Sequence, residues 1–161
     1  MPWERCIEIK NTLGEIYLSS RGIYLNAPEP SMRFHPLIMN GELKKPLPTL
    51  LFKVQREPNG PLVAIHRIYL KGNGCGKAEV TNPKMALGSI KGGAIWFGIP
   101  GERLSITEGP ENALSIKMIG ATFVLSTINA ANFSCLDLPS YVKEVILLPD
   151  NDDAGRLACV R

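Results

Sequence analysis

The sequence predicts an α/β fold, in which a parallel sheet with flanking helices follows a smaller β-rich (α+β) subdomain. Short apolar runs without alternation recur in the last part of the chain, at residues 104–107, 122–126 and 145–148. Runs of this kind are typical of strands buried on both faces of a parallel sheet, and helix-like segments separate them. The earlier part of the chain instead contains strands joined by turn residues. We therefore divide the chain into an N-terminal region, residues 1–100, and a core, residues 101–161.

The N-terminal region begins with a short amphipathic helix, predicted over about residues 12–21. Thr12 and Glu15 stand three positions apart, in the form of a capping box whose side chains satisfy each other's backbone amides. Gly22 follows as a C-terminal stop. Five prolines between residues 26 and 48 then predict an irregular, ordered connection.

Two apolar strands follow, at residues 50–55 and 62–70, and the turn residues 58–60 between them predict an antiparallel hairpin. The spacing of the glycine-rich segment 72–77 does not match a phosphate-binding loop, so we interpret this segment as a turn. A further short strand is predicted at residues 94–97. The N-terminal region is therefore a helix followed by a β-rich subdomain.

Acidic residues in the core follow two of its predicted strands. Glu108 comes directly after the first strand, and Asp150 and Asp152 follow the last. Pro110 and Gly120 bracket a helix that begins just after Glu108. Because the carboxyl ends of neighbouring parallel strands converge on one crevice, we expect the three carboxylates to meet in space. Converging carboxylates are the ligands of a hard divalent cation such as magnesium.

The same acidic residues also have a purely structural interpretation. Glu108 and Glu111 stand at a helix start, where the helix dipole favours an acidic side chain. Aspartate is a favoured N-cap residue, so one member of the segment 150–153 is expected to cap a helix. Three carboxylates in four positions nevertheless exceed what capping requires, because like charges so close repel unless a cation neutralises them. Both interpretations of Glu108 stay open at this stage.

The net charge of +3 conceals an asymmetry along the chain. Residues 1–100 carry a formal charge of +6, and residues 101–161 carry −3. A basic region beside an acidic one suits a bound polyanion on one side and metal chemistry on the other. Lysine-rich loops explain the same numbers equally well.

Composition excludes several other classes of protein. No apolar run reaches the roughly 18 residues that a membrane span needs, and the amino terminus lacks the apolar run of a secretory signal. The four cysteines are scattered, without a Cys-x-x-Cys pair or a histidine at zinc-ligand spacing. We therefore expect a cytoplasmic protein with reduced thiols and no membrane association.

Two acidic motifs together resemble the Toprim domain, which bacterial-type primases, type IA and type II topoisomerases and certain nucleases share. These motifs are Glu108-Gly109-x-Glu111-x-Ala113-Leu114 and Pro149-Asp150-Asn151-Asp152-Asp153-Ala154-Gly155. Five earlier motifs are similar to the region that precedes the Toprim core in primases of plasmids, phages and integrated mobile elements. They are residues 17–23, 32–36, 64–70, 76–78 and 83–88.

This resemblance implies a role for each acidic residue. Glu108 would act in acid–base or metal chemistry, and Asp150 and Asp152 would bind Mg²⁺ or Mn²⁺. Glu111 and Asp153 are candidates for supporting roles. The implied reaction is the magnesium-dependent synthesis of RNA primers on a single-stranded DNA template during DNA replication. Ribonucleoside triphosphates are the implied substrates, with in-line attack by a ribonucleotide 3′-hydroxyl.

Lys77, Lys84 and Arg67 are the candidates for contacts to the phosphates of the template or of an incoming nucleotide. The resemblance also implies an aromatic stacking platform for bases, for which Trp96 or Phe97 is a candidate, but a place in the core is the favoured interpretation of Trp96. A replicative helicase is a candidate partner.

The chain ends at Arg161, before a further acidic motif that the family carries, so we expect a Toprim core truncated at its C-terminus. The full-length protein is expected to be a nucleotidyltransferase, and activity of this chain alone stays open. Two alternatives also stay open: a Toprim nuclease that cleaves phosphodiester bonds, and a non-catalytic fragment that binds nucleic acid or a helicase. The sequence does not determine the template preference or the oligomeric state.

Overall fold

A computed structural model describes residues 2–150 of the chain. The chain divides into two compact units. The first unit contains the chain up to Lys53 together with Ile65–Leu87, and the second contains Val54–Ala64 and the chain from Gly88 onward. Within the described residues, no helix combines the length and apolar character that crossing a membrane requires.

A four-stranded sheet, with its strands side by side in chain order, forms the centre of the first unit. The strands are β1 (Met32–Asn40), β2 (Lys45–Val54), β3 (Ala64–Tyr69) and β4 (Lys84–Gly88). β1 and β2 are antiparallel. The two strands predicted around the 58–60 turn correspond to β2 and β3, which are neighbours in the sheet.

The proline-rich stretch, predicted as an irregular connection, instead contains β1 and the beginning of β2. Pro36 lies where the pairing register shifts between His35 and Ile38. A bulge on an edge strand is where a sheet accepts a residue that has no amide hydrogen. Pro48 lies within β2, and its carbonyl oxygen accepts a hydrogen bond from the Leu70 amide at 2.8 Å. The prediction was wrong because proline removes only the donor from a strand and leaves the acceptor in place.

Helix α1 (Leu13–Ser20) confirms the predicted helix, but its cap differs in detail from a capping box. The Thr12 side chain accepts a hydrogen bond from the Gly14 amide at 3.1 Å. Glu15 Oε2 accepts one from the Asn11 amide at 2.7 Å, and not from Thr12. In a capping box the two donors would be the Thr12 and Glu15 amides. In α1 each donor is instead the amide of the preceding residue, and two backbone amides at the helix start are still satisfied.

The second unit contains a sheet in the strand order β5-β7-β6-β8. Its strands are β5 (Ile95–Gly98), β6 (Arg103–Thr107), β7 (Phe123–Ser126) and β8 (Glu144–Leu148). β6 is parallel to both β7 and β8, whereas β5 is antiparallel to β7. The predicted α/β class and the parallel core strands are confirmed.

Two helical segments follow the strands of this sheet. Helix α2 (Pro110–Met118) lies between β6 and β7, with Gly109 as its N-cap. Gly120, just past its end, has a φ of +116°. The bracketing of this helix by Pro110 and Gly120 is therefore confirmed. A short 3-10 helix (Ala130–Cys135) follows β7 and was not predicted.

The aromatic residues of β5 belong to the core of the second unit. The rings of Trp96 and Phe123 stack, with centroids 5.7 Å apart and an interplanar angle of 19°. The Trp96 indole Nε1 donates a hydrogen bond to the Gln55 carbonyl oxygen at 3.0 Å. Phe97 is fully buried as well. The favoured interpretation of Trp96 as a core residue is therefore confirmed, and neither ring is exposed as a base-stacking platform would have to be.

Candidate active site

The parallel pairing of β6 with β8 brings two acidic strand ends to the same edge of the sheet. Thr107, the last residue of β6, pairs with Leu148, the last residue of β8. Glu108 follows Thr107 directly, and Asp150 comes two residues after Leu148. Because the two strands run in the same direction and are neighbours, both acids emerge at one edge, as the sequence predicts.

A hydrogen bond connects the segment after β8 to the first turn of α2. The Asn112 side-chain Nδ2 donates to Asp150 Oδ1 at 2.7 Å. A donor on one carboxylate oxygen restricts the orientation of the whole group, as hydrogen bonds to metal-ligating carboxylates commonly do. Asn112 was not predicted as a site residue from the sequence. The only sequence feature that indicates a role for Asn112 is its position within the first acidic motif.

The backbone of Glu108 is held by the last residue of β7 and by the segment that follows this strand. The Ile128 amide donates to the Glu108 carbonyl oxygen at 2.9 Å, and Ser126 Oγ donates to the same oxygen at 2.6 Å. Ile128 has a φ of +75°, a left-handed conformation that a β-branched residue rarely adopts. Strain of this kind persists only where the surrounding structure holds it, and it clusters at functional sites. Here the strained residue directs its amide at Glu108.

Glu111 lies in the first turn of α2 and is only 4% exposed. Its Oε2 comes close to Gly109, where an added Cβ would lie 3.5 Å from that oxygen. The helix dipole favours a carboxylate at this position. Glu111 is therefore placed as a helix-start acid, and its supporting role in metal binding stays a prediction.

The described acidic residues fit the donor preference of magnesium. Glu108 and Asp150 supply two carboxylates at one sheet edge, while Asp152 and Asp153 lie outside the described residues. In the stretch from residue 2 to 150, no cluster of three histidine, cysteine, aspartate or glutamate side chains is arranged to hold a metal. Mg²⁺ typically binds through only one or two carboxylates and completes its shell with water and substrate phosphates. Two carboxylate ligands from the protein are therefore enough for a magnesium site.

The three basic residues predicted to contact phosphates lie on or beside the last two strands of the first sheet. Arg67 is on β3 and Lys84 begins β4. Lys77 forms an isolated bridge with Leu70, just past the end of β3. Lys84 is exposed, whereas Arg67 and Lys77 are half-buried. The Arg67 guanidinium lies 5.7 Å from the Tyr69 ring centroid.

Successive residues of a strand point to opposite faces of the sheet, so only one of His66 and Arg67 can face a ligand. His66 is buried, and its ring centroid lies 6.2 Å from that of Phe52. Arg67 keeps part of its side chain accessible. The accessible side of β3 therefore carries Arg67, and His66 belongs to the core.

Two family models match the chain. The family described as a domain of unknown function, DUF7146, matches residues 2–97, and the Toprim domain matches residues 103–161. A search of curated proteins found no match. The Toprim match confirms the predicted resemblance for the core, whereas the mobile-element type and the truncation stay predictions.

A solved structure described as the DnaG catalytic core is similar to this chain, with a TM-score of 0.49 and 16% sequence identity. The similarity covers 70% of this chain and 38% of that chain. The similar part is therefore well under half of that structure.

Proposed function

Because the chain belongs to the DUF7146 family and its remaining part matches the Toprim domain, we propose that it is the catalytic core of a DNA primase. It would synthesise RNA primers on single-stranded DNA during replication of a mobile element or phage. One observation carries this proposal: Glu108 and Asp150 follow adjacent parallel strands within the Toprim match.

Glu108 and Asp150 would hold Mg²⁺ or Mn²⁺, together with Asp152. Toprim domains typically bind divalent metal ions, and the donor set described above suits them. When bound, such an ion neutralises negative charge on a triphosphate and orients it. Asn112 would keep Asp150 in its binding orientation through the 2.7 Å hydrogen bond.

Glu108 would also accept the proton of the attacking 3′-hydroxyl. A general base must lie within hydrogen-bond reach of that proton, so its backbone has to be fixed. The hydrogen bonds from Ser126 and Ile128 to the Glu108 carbonyl oxygen supply this restraint. Phosphates of the template or of an incoming ribonucleoside triphosphate would contact Arg67, Lys77 and Lys84.

A calorimetric titration of Mn²⁺ into the full chain tests the metal site. We expect binding to the wild type, and its loss in Asp150→Asn and in Glu108→Gln. Asp137→Asn is the matched control, because Asp137 is an exposed aspartate in the loop before β8. Unchanged binding in both site variants would rule out the assignment of these residues.

A second experiment distinguishes the reaction classes. Labelled ribonucleotides are incubated with a single-stranded template and Mg²⁺, and a primase yields products that require the ribonucleotides. Degradation of a labelled single strand with metal alone would instead indicate a Toprim nuclease. Metal-independent DNA binding that survives loss of Glu108 and Asp150 would indicate a non-catalytic binding fragment.

A further inference from the structure

Asn132 is a buried polar residue of the short 3-10 helix that follows β7, and it is only 4% exposed. Its side-chain Nδ2 donates to the Gly93 carbonyl oxygen at 2.7 Å and to the Thr127 carbonyl oxygen at 3.0 Å. Its Oδ1 accepts a hydrogen bond from the Gly92 amide at 3.0 Å. Within the second unit, this one side chain therefore joins the segment before β5 to the segment after β7.

The three backbone partners require an amide side chain at position 132. Asparagine has two N–H donors and a carbonyl acceptor; here both donors meet carbonyl oxygens, and the acceptor meets an N–H group. An aspartate would place a carboxylate oxygen against two carbonyl oxygens, and an apolar side chain would offer nothing to any of the three groups. Because the position is buried, water does not readily replace a lost partner there. The position therefore depends on the chemistry of asparagine and not only on its size.

One of these bonds falls on the peptide group that also contacts Glu108. The carbonyl oxygen of the peptide between Thr127 and Ile128 accepts from Asn132, and the N–H of the same peptide donates to the Glu108 carbonyl oxygen at 2.9 Å. A trans peptide is planar, and its C=O and N–H point in opposite directions. Asn132 and Glu108 therefore bind the same rigid group from opposite sides, so fixing the carbonyl end also fixes the direction of the N–H.

The backbone strain at Ile128 explains why this peptide needs such a restraint. Its φ of +75° is unfavourable for a β-branched residue and persists only where the surroundings impose it. Rotation of the 127–128 peptide would relieve the strain, but it would break the bonds to both Asn132 and Glu108. Hydrogen bonds at the two ends of a peptide also polarise it in the same sense, so each strengthens the other. Asn132 thus opposes the rotation that would withdraw the amide from Glu108.

We infer that Asn132 is a positioning residue for Glu108. It acts through the 127–128 peptide, whose N–H it directs at the Glu108 backbone. This role rests on the proposed function, because Glu108 matters to catalysis only if it is a metal ligand or base of that site. The orientation of the Ile128 amide does not depend on that function, and it can be measured separately.

Hydrogen exchange of the Ile128 amide, followed by NMR without metal, tests the geometric part of this role. Asn132→Ala should raise its exchange rate by about tenfold, the effect expected when one buried hydrogen bond no longer restrains the peptide. Trp96→Phe is the matched control, because it also removes a buried side-chain donor from a backbone carbonyl oxygen, that of Gln55. Urea denaturation measures the stability lost in each variant. If circular dichroism shows that Asn132→Ala does not fold, Asn132→Ser, which leaves a smaller cavity, takes its place with the same expectation.

Calorimetric titration of Mn²⁺ into the same proteins tests the functional part. We expect Asn132→Ala to bind Mn²⁺ about tenfold more weakly, the lower limit for residues that orient metal ligands, and Trp96→Phe to bind it as the wild type does. Unchanged exchange at Ile128 or unchanged Mn²⁺ affinity in Asn132→Ala would overturn the proposal, and so would equal changes in Trp96→Phe. If the wild type binds no Mn²⁺, the proposed metal site is wrong, and the exchange rates alone then decide whether Asn132 orients the amide.

Discussion

Asn112 makes one side-chain hydrogen bond to Asp150, and this bond sets how one acidic strand end is oriented. Removing a hydrogen-bond partner of a metal-ligating group typically lowers metal affinity by about 10- to 100-fold. Because Asn112 is exposed, we expect Asn112→Ala to give about the lower limit of that range, a tenfold loss of Mn²⁺ affinity. Calorimetric titration measures it, with Asn73→Ala, an exposed asparagine in the 72–77 turn, as the control. Equal affinities in all three proteins would show that this bond does not position Asp150.

Two cysteines of the first unit differ in their surroundings. Burial raises the pKa of the Cys6 thiol, and the charge of Arg33 lowers it by a smaller amount. Cys75 is exposed. Because the thiolate is the reactive species, Cys6 has less of it at neutral pH than an ordinary thiol would have.

We therefore expect iodoacetamide to modify Cys75 before Cys6 near neutral pH. The rate at Cys6 should rise steeply as the pH approaches its raised pKa, because its thiolate forms only there. Mass spectrometry of the two cysteine-containing peptides measures both rates, and denaturant provides the control in which the difference disappears. Equal rates in the folded protein would contradict the burial of Cys6.

Strand β5 ends at a glycine whose replacement the structure does not accommodate. Gly98 has a φ of +81°, and an added Cβ would overlap the Thr122 carbonyl oxygen. A non-glycine residue in the left-handed region costs about 1–3 kcal/mol, so we expect Gly98→Ala to lower the free energy of unfolding by at least this much. Urea denaturation measures the change. In the control, Gly101→Ala, the added Cβ meets no atom within 4 Å, so equal losses in the two variants would contradict the prediction.

The core strands were predictable because their signals are local. The predicted strand at residues 104–107 is observed as Arg103–Thr107, and that at 145–148 as Glu144–Leu148. Their burial was less predictable. β8 was expected to be buried on both faces, yet Val145 and Leu147 are 40% and 41% exposed. Ile95 and Phe97 of β5, the other edge strand of this sheet, are buried, so the two edge strands differ in how far they are covered. What covers a strand is a non-local property that an apolar run does not encode.

The candidate site was also predictable only in part. The rule that parallel strands converge at their carboxyl ends is enough to place Glu108 and Asp150 at one edge. It does not extend to Asn112 or to the strained Ile128, because side-chain rotamers and loop dihedrals depend on how α2 and the segment after β7 pack. The catalytic and metal-binding roles of Glu108, Asp150 and Asp152 stay predictions.

At the scale of the whole molecule, the charge asymmetry bears on how the chain would bind DNA. The formal charge is +6 over residues 1–100 and −3 over residues 101–161. Each phosphate that a lysine or arginine neutralises releases condensed counterions, so affinity falls as salt rises. If the basic region contacts a single strand, the salt dependence reports how many of its cations are involved.

Lys84 is the most suitable residue for testing how many basic side chains contact the DNA, because it is exposed at the beginning of β4. For single strands, the logarithm of the binding constant falls with the logarithm of salt concentration by about 0.7 per phosphate contact. We therefore expect Lys84→Ala to reduce the magnitude of this slope by about 0.7. Removing Arg67 and Lys77 as well should reduce it by a similar amount for each residue. Fluorescence anisotropy of a labelled single strand over a salt series measures the slope.

Lys143 is the matched control for this measurement. It is an exposed lysine of the acidic region, and its ammonium already pairs with Glu102. Lys143→Ala should leave the slope unchanged, because Lys143 is not among the residues proposed to contact the single-stranded DNA. If Lys143→Ala and Lys84→Ala reduce the magnitude of the slope equally, the affinity for single-stranded DNA depends only on the overall charge of the surface. The β3–β4 edge of the first sheet is then not the DNA-binding site.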